Sequence, residues 1–186
     1  MRTKELLIAG MLPLAACNSS PQVSAKNATV EEVAQKVRAS GAASDYFMHA
    51  GQWRVTSSMD EMNIPGIPAE AQAQMKQVIG KQQNMGFDYC LSPEEAKRPQ
   101  GKFFTGKQSN NCRYEHFTMG GGKIDAVMRC PSEPSGQMVM TLSGTYSPDS
   151  YATQVSMATE GGREGNMSMK MHSDAKRVGE CTPKQG

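Results

Sequence analysis

The stretch that most constrains this chain is Cys112-Arg-Tyr-Glu-His-Phe-Thr-Met-Gly-Gly-Gly-Lys-Ile-Asp-Ala-Val-Met-Arg-Cys130. Two short runs rich in aromatic and β-branched residues flank a triple glycine, the pattern of a β-hairpin with a three-residue loop. With the turn centred on Gly121, Met119 faces Lys123 and Cys112 falls opposite Cys130, within the Cα separation that a disulfide spans. This register puts Cys112, Tyr114, His116 and Thr118 on one face with Ile124, Ala126, Met128 and Cys130. Arg113, Glu115, Asp125 and Arg129 lie on the other. One face is mostly buried and the other mostly wet, so the hairpin reads as a stapled structural centre.

The N-terminus reads as an address. Arg2 and Lys4 give a positive start, and residues 6–16 form an apolar run of eleven, interrupted by Pro13. Such a run is too short to span a bilayer as a helix. It ends Leu14-Ala15-Ala16-Cys17, which resembles the bacterial lipoprotein signal, in which the cysteine is acylated and becomes the mature N-terminus. Apolar length, small residues and cysteine coincide, which favours this reading over a secretory peptide with a chance cysteine or a buried helix. Cys17 is therefore the expected lipidation site, and several acyl chains anchor a protein stably where one does not. Asn18 points weakly to the outer membrane, so the expected location is the bacterial cell envelope, facing the periplasm. Cleavage removes Arg2, Lys4 and Glu5 from a chain of net charge +2, leaving it nearly neutral. With no basic run interleaved with aromatics, nucleic acid is not an expected partner.

The expected organisation is a signal peptide at 1–16, a flexible tether at 17–28, an amphipathic helix at 29–45 and a β-rich domain at 46–186. Residues 18–28 are polar and aperiodic, as a tether is. Thr29 precedes Glu32 at capping-box spacing, and Val30, Val33, Ala34 and Val37 recur with helical period up to Gly41. That stripe is expected to pack on the domain, with partner binding as the alternative. Trp53, Val55 and Met59 alternate with Arg54 and Thr56, a half-buried strand with the sole Trp as core anchor. Residues 62–68 read as a loop and Pro68 as a first helical residue. Ala71, Met75, Val78 and Ile79 form the stripe of a helix ended by Gly80.

Phe87-Asp-Tyr-Cys-Leu91 is a further strand. Ser92 then caps a helical turn that opens with Pro93, and Glu94 and Glu95 complement its positive end. Adjacent helical residues point apart, so these carboxylates are not a catalytic pair. Phe103 and Phe104 mark a strand between Gly101 and Gly106. Beyond the hairpin, residues 137–147 and 151–159 make two strands joined by Ser-Pro-Asp. Asn166-Met-Ser-Met-Lys-Met-His172 alternates ahead of Arg177-Val-Gly-Glu-Cys181. Seven or eight short strands predict a mainly β (α+β) fold: an antiparallel meander forming a sandwich or partly open barrel, with two short covering helices.

Gly51-Gln-Trp, the Met-Pro-rich loop before a helix, Cys90-Leu-Ser-Pro-Glu-Glu-Ala, Cys112, the Gly-Gly turn, Cys130, Gly144-Thr-Tyr-Ser and Arg177-Val-Gly-Glu-Cys181 occur in that order. In this they resemble the bacterial domain-of-unknown-function family 3617, over about residues 46–186. The resemblance implies an exported, disulfide-bearing envelope protein without an established activity, so it transfers no catalytic residue.

With Cys17 spent on lipid, Cys90, Cys112, Cys130 and Cys181 remain, without any Cys-x-x-Cys and without zinc or haem spacing. An oxidising periplasm makes them two disulfides, for which three pairings exist. The hairpin register favours Cys112–Cys130, which leaves Cys90–Cys181.

Methionine supplies the sharpest chemical signal. Met167, Met169 and Met171 recur at period two beside His172, and Met138 and Met140 echo them. Thioethers suit Cu(I). Against that, Met fills cores short of aromatics, and His172 points away from the methionine face of a strand. No metal site is favoured; Met167, Met169 and Met171 are the alternative. Enzyme signatures are missing: no Gly-x-Ser-x-Gly, phosphate-loop or His-Glu-x-x-His motif occurs, and Gly120-Gly-Gly-Lys123 lies between strands. His49, His116 and His172 are the only histidines, and His116 is expected half-buried on the cysteine face. No catalytic residue and no cofactor is assigned. The sequence reading is a non-enzymatic, lipid-anchored binding or structural module for an envelope protein or small apolar ligand. Met62, Ile64, Ile67, Met75 and Ile79 form its expected contact surface. A copper-binding protein is the second reading and a cryptic hydrolase the third.

Overall fold

The computed structural model describes residues 21–41, 47–84, 86–97, 111–132, 136–161 and 166–181. The expected signal peptide, Cys17 and the expected strand at Phe103 and Phe104 lie outside them. Eight antiparallel strands form one unclosed sheet in the order β1-β4-β5-β6-β7-β8-β2-β3. They are β1 (Val23–Thr29), β2 (Gly51–Asn63), β3 (Phe87–Leu91), β4 (Arg113–Gly120), β5 (Lys123–Ser132), β6 (Gly136–Ser147), β7 (Ser150–Glu160) and β8 (Ser168–Gly179). Helices α1 (Val30–Ala39), α2 (Ala69–Asn84) and α3 (Pro93–Lys97) complete the described elements. The expected mainly β, antiparallel fold is adopted as one unclosed sheet, and the described residues contain no second sheet that would make a sandwich. One core cluster runs from Val23 on the first strand of the sheet to Leu91 on the last, so the inner face wraps a single core.

The helix at Thr29 forms as its sequence requires. Thr29 Oγ1 accepts from the Glu32 amide at 3.2 Å, and the Glu32 carboxylate accepts from the Thr29 amide at 2.7 Å. Those hydrogen bonds hold the Glu32 carboxyl below its ordinary range. Val33, Ala34 and Val37 are fully buried, so the apolar stripe of α1 is used within the domain. Gly41, at φ +70°, provides the left-handed stop after the Ser40 cap.

The hairpin differs from its expected register. Its turn has two residues, Gly121 and Gly122, both at positive φ, and Gly120 pairs with Lys123. This is the chemistry that a tight hairpin prefers, and it moves the register by one residue. Met119 therefore pairs with Ile124 and Phe117 with Ala126, so Phe117 and Met119 face inward while His116 and Thr118 face out. A β-bulge between Tyr114 and His116 then restores the parity, and Tyr114 and Cys112 return to the inner face. The bulge is why Cys112 meets Cys130, at a Cα separation of 4.2 Å. Cys90 and Cys181 form the other disulfide, at 5.4 Å.

Other boundaries also move. Residues 23–28, expected as part of a tether, belong to β1, which pairs along β4. Val23 and Ala25 point inward, and Asn27, at φ +49°, kinks the strand so that Ala28 follows them. Strand β2 continues to Asn63, with a bulge near Asp60 that brings Met62 into line with Met169. Helix α2 continues past Gly80 to Asn84. It contacts β2 and contributes nothing to the core cluster, so α1 alone of the two expected covers closes over the core. No helix among the described residues is long and apolar enough to cross a membrane.

Candidate ligand-binding cavity

Strand register defines what lines the inner face. Across β5, β6, β7, β8 and β2, one row reads Ile124, Gly144, Thr153, Ser173, Ser57. The row on one side is Tyr146, Tyr151, Ala175, Val55; the row on the other is Ala126, Leu142, Val155, Met171, Met59. Small residues between larger ones leave unfilled space, because a sheet holds its side chains at fixed spacing. A cavity of about 280 Å³ sits there, lined by Phe47, Met48, Ile124, Met140, Leu142, Tyr146, Tyr151, Thr153, Val155 and Ser173.

Phe47 and Met48 close one end. Phe47 meets Tyr146 edge-on at 5.7 Å between ring centres. The segment they belong to is tied down by the His49 amide donating to Pro148 O at 2.8 Å. Trp53 Nε1 donates to His49 O at 3.0 Å, while its ring stacks on Tyr151 and on Tyr89. The Trp is a core anchor, as expected, and it also backs the cavity wall through Tyr151.

Among the described residues no carboxylate, ammonium or guanidinium lines this space. Its polar groups are few and mostly engaged with one another: Ser57 Oγ and Ser173 Oγ are 2.8 Å apart, and Thr153 Oγ1 donates to Ser173 O at 3.5 Å. Burial pushes the Tyr146 and Tyr151 phenols upward, so both remain neutral donors. The arrangement accepts an uncharged apolar body with one or two hydrogen-bonding atoms.

The expected contact surface is only partly assembled. Met62 lies on the inner face of β2 and is half-buried. The Gln72 amide clamps the loop before α2: it accepts from Ile64 N at 3.0 Å and donates to Ile67 O at 2.7 Å. Ile64, Ile67 and Ile79 are half-buried, Met75 is 39% exposed and Val78 62% exposed. None of these residues lines the cavity.

His116 and His172 sit on the outer face of the sheet, and His49 is exposed in the segment before β2. His116 Nε2 is 2.6 Å from Asp125 Oδ1, His49 Nδ1 is 3.1 Å from Asp149 Oδ1, and His172 Nδ1 is 2.8 Å from Asp60 Oδ1. His116 is thus outward and half-exposed, not on the cysteine face; the two-residue turn is the cause. Ser58 Oγ lies 3.1 Å from both ring nitrogens of His172, which joins Ser58, His172 and Asp60 in one cluster. A nucleophile relay needs hydroxyl and carboxylate on opposite ring nitrogens. Here the hydroxyl is equidistant from both and the carboxylate shares Nδ1, so a hydroxyl-to-imidazole-to-carboxylate chain is not formed. Glu95 and Ser92 make a second capping box, with Ser92 N donating to Glu95 Oε2 at 3.0 Å, which lowers the Glu95 carboxyl and occupies it. Among the described residues no three His, Cys, Asp or Glu side chains group as a metal site.

Met169 and Met171 share the inner side of β8, Met167 just before the strand is half-buried like them, and His172 faces out, as the alternation predicts. The small-residue row escaped sequence reasoning because its members come from separate strands; only register brings them together. No curated protein and no solved structure matches this chain. A family model described as "Protein of unknown function (DUF3617)" matches residues 48–181, which takes in β2 through β8, both disulfides and the described cavity lining except Phe47. The chain belongs to this family, DUF3617.

Proposed function

We propose that this is a lipid-anchored cell-envelope protein whose open sheet holds a small, uncharged, apolar ligand above the Gly144–Thr153–Ser173 row. The observation that carries the reading is the cavity itself: about 280 Å³, apolar walls, and a floor of mutually bonded hydroxyls. A water-sized group takes ~30 Å³, so the space holds about nine such groups: one ring or a short alkyl chain sits inside, and the rest of a longer apolar molecule lies across the half-open mouth. The ligand's polar atom takes over a hydrogen bond from Ser173 or Thr153, and its body displaces weakly held water.

The test is saturable binding of the dye N-phenyl-1-naphthylamine to the mature protein, displaced by decanol. Val155→Phe fills the cavity from β7 and is expected to weaken dye binding at least tenfold. Equal affinity in that variant, or no saturable signal in the wild type, ends the proposal. The anchor is tested separately: radiolabelled palmitate is expected to label the wild type and not Cys17→Ser.

A further inference from the structure

We propose that the inner face carries a soft-metal site built from Met140, Met157 and Met169, one thioether from each of three adjacent strands, for Cu(I) or Ag(I). Register puts these residues directly opposite one another, Met140 with Met157 and Met157 with Met169. They are the centre of an unbroken cross-strand row that begins at Met128 and ends at Met62. Directly opposed side chains on neighbouring strands have Cβ atoms about 5 Å apart, whereas same-face residues along one strand are about 7 Å apart. Three thioethers converge more easily across strands than along β8, so Met140 and Met157 replace Met167 and Met171 as partners of Met169.

Core packing accounts for only part of the row. Met128 is buried, and Met140 packs against the core cluster. Met157, Met169 and Met62 stand outside that cluster and are half-buried. Core packing therefore does not explain why Met157 and Met169 continue the row beyond Met140 at a half-open surface. Thioether sulfur is a soft, neutral ligand, and three of them satisfy a monovalent d¹⁰ ion without hard donors. The described residues offer no imidazole–carboxylate–thiolate trio, so the site selects Cu(I) and Ag(I) over Zn²⁺ and Ni²⁺. Thioethers also do not titrate, so affinity should hold constant from pH 5 to pH 8, unlike that of an imidazole site.

Ag(I) nitrate titrated into the full-length protein in detergent, in chloride-free buffer, tests this without any redox step. Calorimetry is expected to give one ion per chain. The ε-methyl signals of Met140, Met157 and Met169 are expected to shift before those of the remaining methionines, of which the chain has 15 in all. Met157→Leu and Met169→Leu each conserve volume and should weaken binding at least tenfold. Met140 borders both sites, but neither Met157 nor Met169 lines the ligand cavity, so naphthylamine binding should survive both changes and tells failure of one site from failure of the other. Wild-type affinity in both variants, uniform shifts across all methionines, or a loss of affinity between pH 7 and pH 5 would overturn the assignment.

Discussion

Removing the Cys90–Cys181 cross-link isolates one term in the stability of this sheet. Strand β3 is the last in the sheet and is held by five register pairs to β2 alone. Gln52 on β2 pairs with Cys90 on one side and Gly179 on the other, so the disulfide bridges over the end of β2. Cys90 is exposed and Cys181 half-buried, so replacing both by serine loses little packing. What is lost is the constraint on the unfolded chain. For a sequence separation of 91 the chain-entropy relation gives about 5 kcal/mol, which lowers Tm by roughly 10–20 °C in a domain of this size. Urea unfolding of Cys90→Ser/Cys181→Ser, followed by circular dichroism, measures it. The Cys112–Cys130 pair, separated by 18, is worth about 3 kcal/mol by the same relation. Both of its cysteines are buried, so alanine there adds a packing loss that the first pair does not have. A change below about 1 kcal/mol for Cys90→Ser/Cys181→Ser would refute the loop-entropy reasoning. A non-reducing peptide map linking Cys90 to Cys112 or Cys130 would refute the connectivity.

Further outcomes follow from single side chains. The Tyr114 hydroxyl is buried with no hydrogen-bond partner among the described residues, so Tyr114→Phe should raise stability by about 1 kcal/mol in the same assay. Burial pushes the Tyr114 phenol up to about 12, so the folded state holds its proton where the unfolded state, near 10, has lost it. Stability should therefore fall from about pH 10 upward until about pH 12, and fall less in Tyr114→Phe; identical alkaline limbs would contradict this. A Cβ on Gly144 would run into Ala152 O and lie 2.8 Å from Thr153 Cα. Gly144→Ala should accordingly cost about 2–3 kcal/mol and abolish naphthylamine binding, since β6 and β7 must separate to admit it.

The elements that could be read from the sequence are those whose cause is local. Thr29 with Glu32, and Ser92 with Glu95, need only their own backbone to form a cap, and both do. The Ser-Pro-Asp turn joining β6 to β7, and the inward alternation of Trp53, Val55 and Met59, are likewise local. The hairpin was legible as a hairpin, and its disulfide as a disulfide, yet its register was not. A bulge at Glu115 has no local signature; it exists because β4 must present Phe117 and Met119 to the core and still return Cys112 to Cys130. Strand β1 has no periodic signature, because residues 18–28 are polar and aperiodic, with Ser24, Lys26 and Asn27 among them. Pairing with β4 makes it a strand all the same. The cavity was invisible for a related reason: Gly144, Thr153, Ser173 and Ser57 are unremarkable in their own strands and become a gap only when aligned.

Strand β1 also limits the reach of the proposed lipid anchor. With Cys17 acylated as proposed, only residues 18–22 separate the lipid from the first strand. Fully extended, six Cα steps reach at most about 22 Å, less than the thickness of the bilayer that holds the anchor. A long leash would let the domain sample the width of the periplasm. The short span of the proposed anchor would keep the edge of the sheet beside the lipid headgroups, where an apolar molecule leaving the bilayer would have almost no water to cross before it met the protein.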